Sequence, residues 1–92
     1  MNKQELVSAV AEKTGLQKKQ VEAAITSTLE VIQQTVSQGD KIQLVGFGTF
    51  EPRTREAREG RNPKTGEPIQ IPATTLPVFK AGKAFKDSVH QQ

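Results

Sequence analysis

The sequence reads as an α+β fold. It has an N-terminal helical hairpin, a three-stranded antiparallel sheet with a long protruding β-arm, and a short C-terminal helix, built into an intertwined dimer. Three observations carry this reading. Apolar residues recur at helical spacing through the first 38 residues, then switch to a period of two from Lys41. Between Phe50 and Ile69 there is no Leu, Ile, Val, Met or Phe. The 92 residues include 34% hydrophobic side chains, which allows one small domain with a thin core.

The first helix opens at Asn2, an N-cap with Glu5 three residues on, as in a capping box. Leu6, Val7, Val10 and Ala11 form its apolar stripe, and Gly15 suits a left-handed terminus. The second helix spans about Lys18 to Gln38, with Val21, Ile25, Leu29, Ile32 and Val36 along one face. Gln17 stands at its cap position, where Ser or Thr would be worth about 1 kcal/mol more. Gly39-Asp40 stops it.

Lys41 to Val45 alternates as a half-buried strand does, and Gly46-Phe47-Gly48 is a tight turn. A second strand starts at Thr49. Residues 51–68 then offer nothing to bury, and their centre, Asn62-Pro63-Lys64-Thr65-Gly66, is turn chemistry. A hairpin follows, and such a ribbon projects into solvent or lies on a partner. About ten residues per strand reach roughly 30 Å. Pro52 and Pro68 lack a ladder donor, so each should face outward or mark a bend. Leu76-Pro77-Val78-Phe79 reads as a short strand or extended piece, and Lys83 to His90 as a helix with Phe85 and Val89 one turn apart. The organisation is thus one domain over 1–92: a helical dimerisation half (1–40), the sheet and arm (41–82, arm about 53–75) and the terminal helix (83–92).

Several function classes drop out. There is no cysteine, Trp or Tyr, and one histidine, His90, so triads, Cys/His pairs and His-based zinc sites cannot be assembled. No cofactor or metal ligand set is expected, and no enzyme. No apolar run approaches the ~20 residues of a membrane span, and the N-terminus lacks a signal-peptide core. A cytoplasmic location is expected.

The charge is unevenly placed. The chain carries +3 overall, with a pI near 9.5. Residues 1–40 hold four basic and five acidic side chains, residues 41–92 nine and five. All four arginines, Arg53, Arg55, Arg58 and Arg61, lie in the ribbon. Arginine neutralises phosphate and suits a narrow minor groove. The competing reading is a solvated edge ribbon in which Glu51, Glu56, Glu59 and Glu67 pair with the arginines. Pro63 has two roles open to it: a turn residue, or a rigid wedge that unstacks a base step. Lys80, Lys83 and Lys86 recur at spacings of three, and Lys3 stands at another helix start.

A ribbon without core leaves about 70 residues with few large side chains, and domains that small are marginal alone. Phe47, Phe50 and Phe79, with Leu29, Ile32 and Leu44, are expected to build a dimer core. The alternative is an ordinary monomer core at the same positions.

Gly46-Phe47-Gly48-Thr49-Phe50, followed by Arg58-Glu59-Gly60-Arg61-Asn62-Pro63-Lys64-Thr65-Gly66, closely resembles the signature of the bacterial histone-like HU family. The resemblance covers essentially the whole chain. It implies a non-enzymatic, nucleoid-associated homodimer whose arms embrace double-stranded DNA from the minor-groove side. Pro63 would intercalate and bend the duplex. Arg55, Arg58 and Arg61, with Asn62 and Lys64 at the tip, would line the groove. Arg53, Lys3, Lys80, Lys83 and Lys86 would follow the phosphates near the body. Nicked, gapped or already bent DNA would be preferred, and RNA binding stays open. Thr75 departs from the Arg or Lys of many relatives, and Glu56 sets a negative charge among the arginines. The related integration host factor, a sequence-preferring heterodimer, is the near alternative. A protein-interaction module using the basic ribbon is the other.

Overall fold

The structure is a computed structural model, and it describes residues 1–90. α1 (Lys3–Thr14) starts as its sequence requires: the Asn2 Oδ1 accepts the Glu5 backbone N–H at 2.9 Å. It ends where Gly15 takes φ 75° and donates its N–H to the Ala11 carbonyl. A side chain with a Cβ strains in that conformation, which is why glycine stands there. Thr14 helps close the end, its hydroxyl donating to the Val10 carbonyl at 2.8 Å. α2 (Lys18–Ser37) follows after three residues.

The chain divides into two compact units, Met1–Gln34 and the remainder from Thr35. In the first, Val7, Ala11 and Val21 are buried, with Val10 and Ile25 packed against them. These are the facing stripes of α1 and the start of α2. The outcome matches the expected helical hairpin. Further along α2, Leu29 stays 48% exposed and Ile32 half-buried, although they continue the same apolar row.

The second unit is built on a three-stranded antiparallel sheet of order β1-β2-β5, from β1 (Ile42–Leu44), β2 (Gly48–Arg55) and β5 (Thr74–Ala81). β1 is shorter than its alternation implies. Val45 has passed into the turn, where the Phe47 N–H donates to the Leu44 carbonyl at 2.9 Å and Gly46 takes φ 85°. β5 is longer than the expected short piece, because it pairs with all eight residues of β2, from Gly48↔Ala81 to Arg55↔Thr74. Cross-strand pairing, a long-range effect, extends it beyond its apolar core.

The arm continues as β3 (Arg58–Arg61) and β4 (Pro68–Ile71), with Arg58 opposite Ile71 and Arg61 opposite Pro68. The register runs straight through: two residues on each side, 56–57 and 72–73, separate the two ladders. Pro72 lies in that gap and has no N–H to give, which accounts for the interruption. Pro52 and Pro77 face each other within β2 and β5. Two prolines opposed in this way suit a pair whose nitrogens point outward. β1 has already ended by then, its first residue Ile42 pairing with Phe50.

The sheet base carries an aromatic cluster. Phe50 and Phe79 lie opposite one another with ring centroids 4.7 Å apart, Phe47 is 5.3 Å from Phe79, and Phe85 of α3 (Lys83–His90) is 5.2 Å from Phe47. Phe85 was not part of the expected cluster. Among the described residues no helix is long and apolar enough to cross a membrane.

Candidate nucleic-acid interface

Strand pairing sorts the arm residues onto faces. Glu51, Arg53 and Arg55 share one face of β2 with Val78, Leu76 and Thr74 of β5. The other face carries Thr54 and Thr75, whose hydroxyls lie 3.4 Å apart. In the outer ladder, Arg58, Gly60, Ile69 and Ile71 share one face, and Glu59, Arg61, Pro68 and Gln70 the other.

The glutamate–arginine pairing of the competing reading does not occur among the described residues. Among the described residues the one ion pair joins Lys80 Nζ to Glu51 Oε1 at 2.9 Å. Arg53, Arg55, Arg58 and Arg61 are exposed and have no ion-pair partner there. The Lys80 hydrogen bond holds the Glu51 carboxyl below its ordinary value; it outweighs the opposing effect of desolvation and is helped by the weaker fields of Lys80, Arg53 and Lys41. Lys80, expected on the phosphate path, is engaged by Glu51 in this structure.

The tip is locked by its own polar groups. The Asn62 N–H donates to the Glu67 carbonyl (2.8 Å), and the Asn62 carbonyl accepts from the Gly66 N–H (2.7 Å). Asn62 Oδ1 accepts the Lys64 N–H (2.9 Å), and Thr65 Oγ1 accepts the Glu67 N–H (3.3 Å). Gly66 takes φ 74°, which this closure needs. Pro63 sits inside this frame and is exposed. Asn62, expected at the interface, thus spends its side-chain oxygen within the loop and is half-buried, while Lys64 stays exposed.

Contrary to the expectation of a ribbon with nothing to bury, the arm packs apolar side chains of its own. Gly60 lies under Ile71, whose Cδ1 would be 2.8 Å from a Cβ at that position, with Ile69 Cγ1 at 3.7 Å. Ile69 and Ile71 alternate in the sequence, and the glycine opposite them was the available signal.

The remaining expected residues fall near the base or in the first unit. Lys83 is the first residue of α3 and Lys86 lies one turn on, both exposed. Lys3 begins α1 in the first unit, also exposed. The Gly82 N–H donates to the Phe47 carbonyl at 2.7 Å, tying the start of α3 to the β1–β2 turn. Phe47, Phe50 and Phe79, expected in a dimer core, gather within the one chain, yet Phe47 and Phe79 remain 44% and 38% exposed, and Leu44 40%. Val45, at 96%, is more exposed still.

The family model described as bacterial DNA-binding protein matches residues 1–90. The chain belongs to that family. Similar relatives include HU proteins: the chain is 58% identical to DNA-binding protein HU of Clostridium pasteurianum, over 99% of this chain and all of that one. It is 61% identical to DNA-binding protein HU of Nostoc, over 97% and 95% of the two chains. Among solved structures it is similar to HU in the Anabaena HU–DNA cocrystal, with a TM-score of 0.88, 59% identity and complete coverage of both chains. HU of Thermotoga maritima is a more distant match, at 36% identity and a TM-score of 0.69 over 97% and 98% of the chains. The HU resemblance read from the tip and the Gly-Phe-Gly turn is therefore borne out, and the host-factor alternative is not favoured.

Proposed function

We propose that two copies of this chain form an architectural protein that binds and bends double-stranded DNA with little sequence preference. The observation that carries the reading is the arm: four arginines without an ion-pair partner among the described residues, ending in a rigid turn that presents Pro63. The HU relatives, one of them seen with DNA, favour the same conclusion. Arg55, Arg58, Arg61 and Lys64 neutralise phosphates along the groove, and Arg53, Lys3, Lys83 and Lys86 extend that path. Pro63 enters a base step and kinks it; its fixed ring loses little freedom on insertion. Smoothly bending a site costs on the order of 1–6 kcal/mol, offset by added contacts, so nicked, gapped or already bent DNA binds more tightly.

The second copy is an identical chain. It covers Leu29, Ile32 and Leu44 and the open sides of Phe47, Phe50 and Phe79, which a single chain leaves wet. The activity is binding, without cofactor or catalysis, and its place is the cytoplasmic nucleoid.

A gel-shift titration across a salt series tests the reading with one intact duplex, a scrambled sequence, the same duplex nicked, and an RNA duplex. Binding of both sequences that falls steeply with salt, tightest on nicked DNA, is expected. Strong preference for one intact sequence would indicate host-factor-like readout. No shift at low salt would make the arm a protein-binding ribbon.

A further inference from the structure

Arg53 and Arg55 do not stand alone on their face of β2. Toward the body the same face continues through Glu51 to Thr49, because alternate residues of a strand point the same way. Thr49 is the middle of a row that crosses all three strands, with Gln43 of β1 opposite it on one side and Lys80 of β5 on the other. Lys41 immediately precedes Ile42, which pairs with Phe50, so the same register sets Lys41 beside Glu51. The field of Lys41 is felt at the Glu51 carboxyl, as is that of Arg53. Lys41, Gln43 and Lys80 are exposed, and Thr49 is half-buried. At the tip, Asn62 and Thr65 spend their side-chain oxygens on the loop itself. The Gln43 amide and the Thr49 hydroxyl, by contrast, make no hydrogen bond among the described residues, and Lys41 has no ion-pair partner there.

Building on the DNA-binding reading, we propose that Lys41, Gln43 and Thr49, together with Lys80, form a phosphate-holding platform on the body, which carries the duplex backbone from Arg53 onto β1. The chemistry is matched: ammonium, amide and hydroxyl groups all donate, and phosphate oxygens only accept. The charge is matched as well. Lys41, Arg53 and Lys80 surround the one carboxylate of Glu51, so this face stays positive after that carboxylate is neutralised. A lysine and a glutamine on an edge strand also guard against strand-to-strand association. That role accounts for Lys41 and Gln43 on β1 but not for Thr49, which lies on the central strand, nor for the continuation of the row into the arginines of the arm. Phosphate contacts of this kind fix the position of a duplex on the protein and carry no base sequence, in keeping with a binder of little sequence preference.

The test separates a held phosphate from net charge. Affinity for one intact duplex is measured across a salt series with full-length variants whose fold is checked by circular dichroism. Lys41→Gln should weaken binding about fivefold near 0.1 M salt and lower the salt slope by about one. Lys13→Gln removes the same charge from an exposed position in the last turn of α1. It should weaken binding by less than about twofold and leave the slope unchanged. Thr49→Val keeps the β-branched shape and deletes only the hydroxyl, so a loss of about threefold at every salt concentration is expected, with the slope unchanged. Gln43→Ala should behave in the same way from the exposed edge strand. Equal effects of Lys41→Gln and Lys13→Gln would reduce Lys41 to a share of the net charge and overturn the platform, as would wild-type affinity in both Thr49→Val and Gln43→Ala. Failure of the wild type to bind at low salt would instead remove the DNA-binding reading itself.

Discussion

The sheet base and the arm are made from the same two chain segments, yet different forces hold them. At the base, four phenylalanines meet at ring separations between 4.7 and 6.1 Å, and Gly48 is hemmed in by Phe79 and the Lys80 carbonyl. There the structure depends on residues about 30 positions apart in sequence. At the tip, nothing lies within 4 Å of a Cβ placed on Gly66, and the form is set by hydrogen bonds among residues 62–67. The base is therefore where stability resides, and the tip is a shape maintained locally. An arm stable by local means can lie across a partner without the body having to rearrange.

Two glycines test that contrast with the largest expected effect. A Cβ on Gly48 would come within 2.5 Å of Phe79 Cζ and 2.6 Å of the Lys80 carbonyl oxygen. Gly48→Ala should destabilise by about 3 kcal/mol, read by urea denaturation. Gly66→Ala meets open space and suffers only its left-handed φ of 74°, so about 1 kcal/mol is expected. Equal losses at the two positions would break the distinction between base and tip.

Pro63→Ala sharpens it from the other side. The ring is exposed and the surrounding bonds run through Asn62, Lys64, Thr65, Gly66 and Glu67, so stability should change by less than about 0.5 kcal/mol. Affinity for intact DNA should fall modestly. Ring closure of short DNA fragments should fall more, because an alanine cannot hold a base step open. Unchanged ring closure would reduce Pro63 to a turn residue.

Most of the architecture is legible in the sequence because its signals are local. Asn2 with Glu5, Gly15, the 3.6-residue stripe of α2 and the Asn62–Gly66 turn each encode their element within a few residues. The Gly-Phe-Gly turn and the arm tip also carry the family. What escaped reading depends on partners distant in sequence. β5 reaches Thr74–Ala81 because β2 is there to pair with it, and Phe85 joins the rings only once α3 folds back on the turn at Phe47. The Glu51–Lys80 contact is of the same kind: alternation puts both on one face, but only the β2–β5 register makes them neighbours. Gly60 and the two isoleucines were in plain view, and the ribbon's polarity hid them.

That ion pair gives the smallest effect and the finest comparison. Glu51's carboxyl lies below its ordinary value of 4.5, so the folded state binds its proton less readily than the unfolded one. Its contribution is thus present above that ordinary value and is lost as the pH falls through the lowered one. Acid titration of folding should show this loss in the wild type and not in Glu51→Gln. At neutral pH the same variant frees Lys80 as well as deleting a negative charge. Glu56→Gln deletes a charge in the interruption of the arm, where Glu56 has no ion-pair partner among the described residues. If Lys80 is withheld from phosphate by Glu51, Glu51→Gln should tighten DNA binding about twofold more than Glu56→Gln, with the gain fading at high salt. Matching gains would mean that Lys80 exchanges its carboxylate for a phosphate at no cost, and that the base contributes to binding only through its net charge.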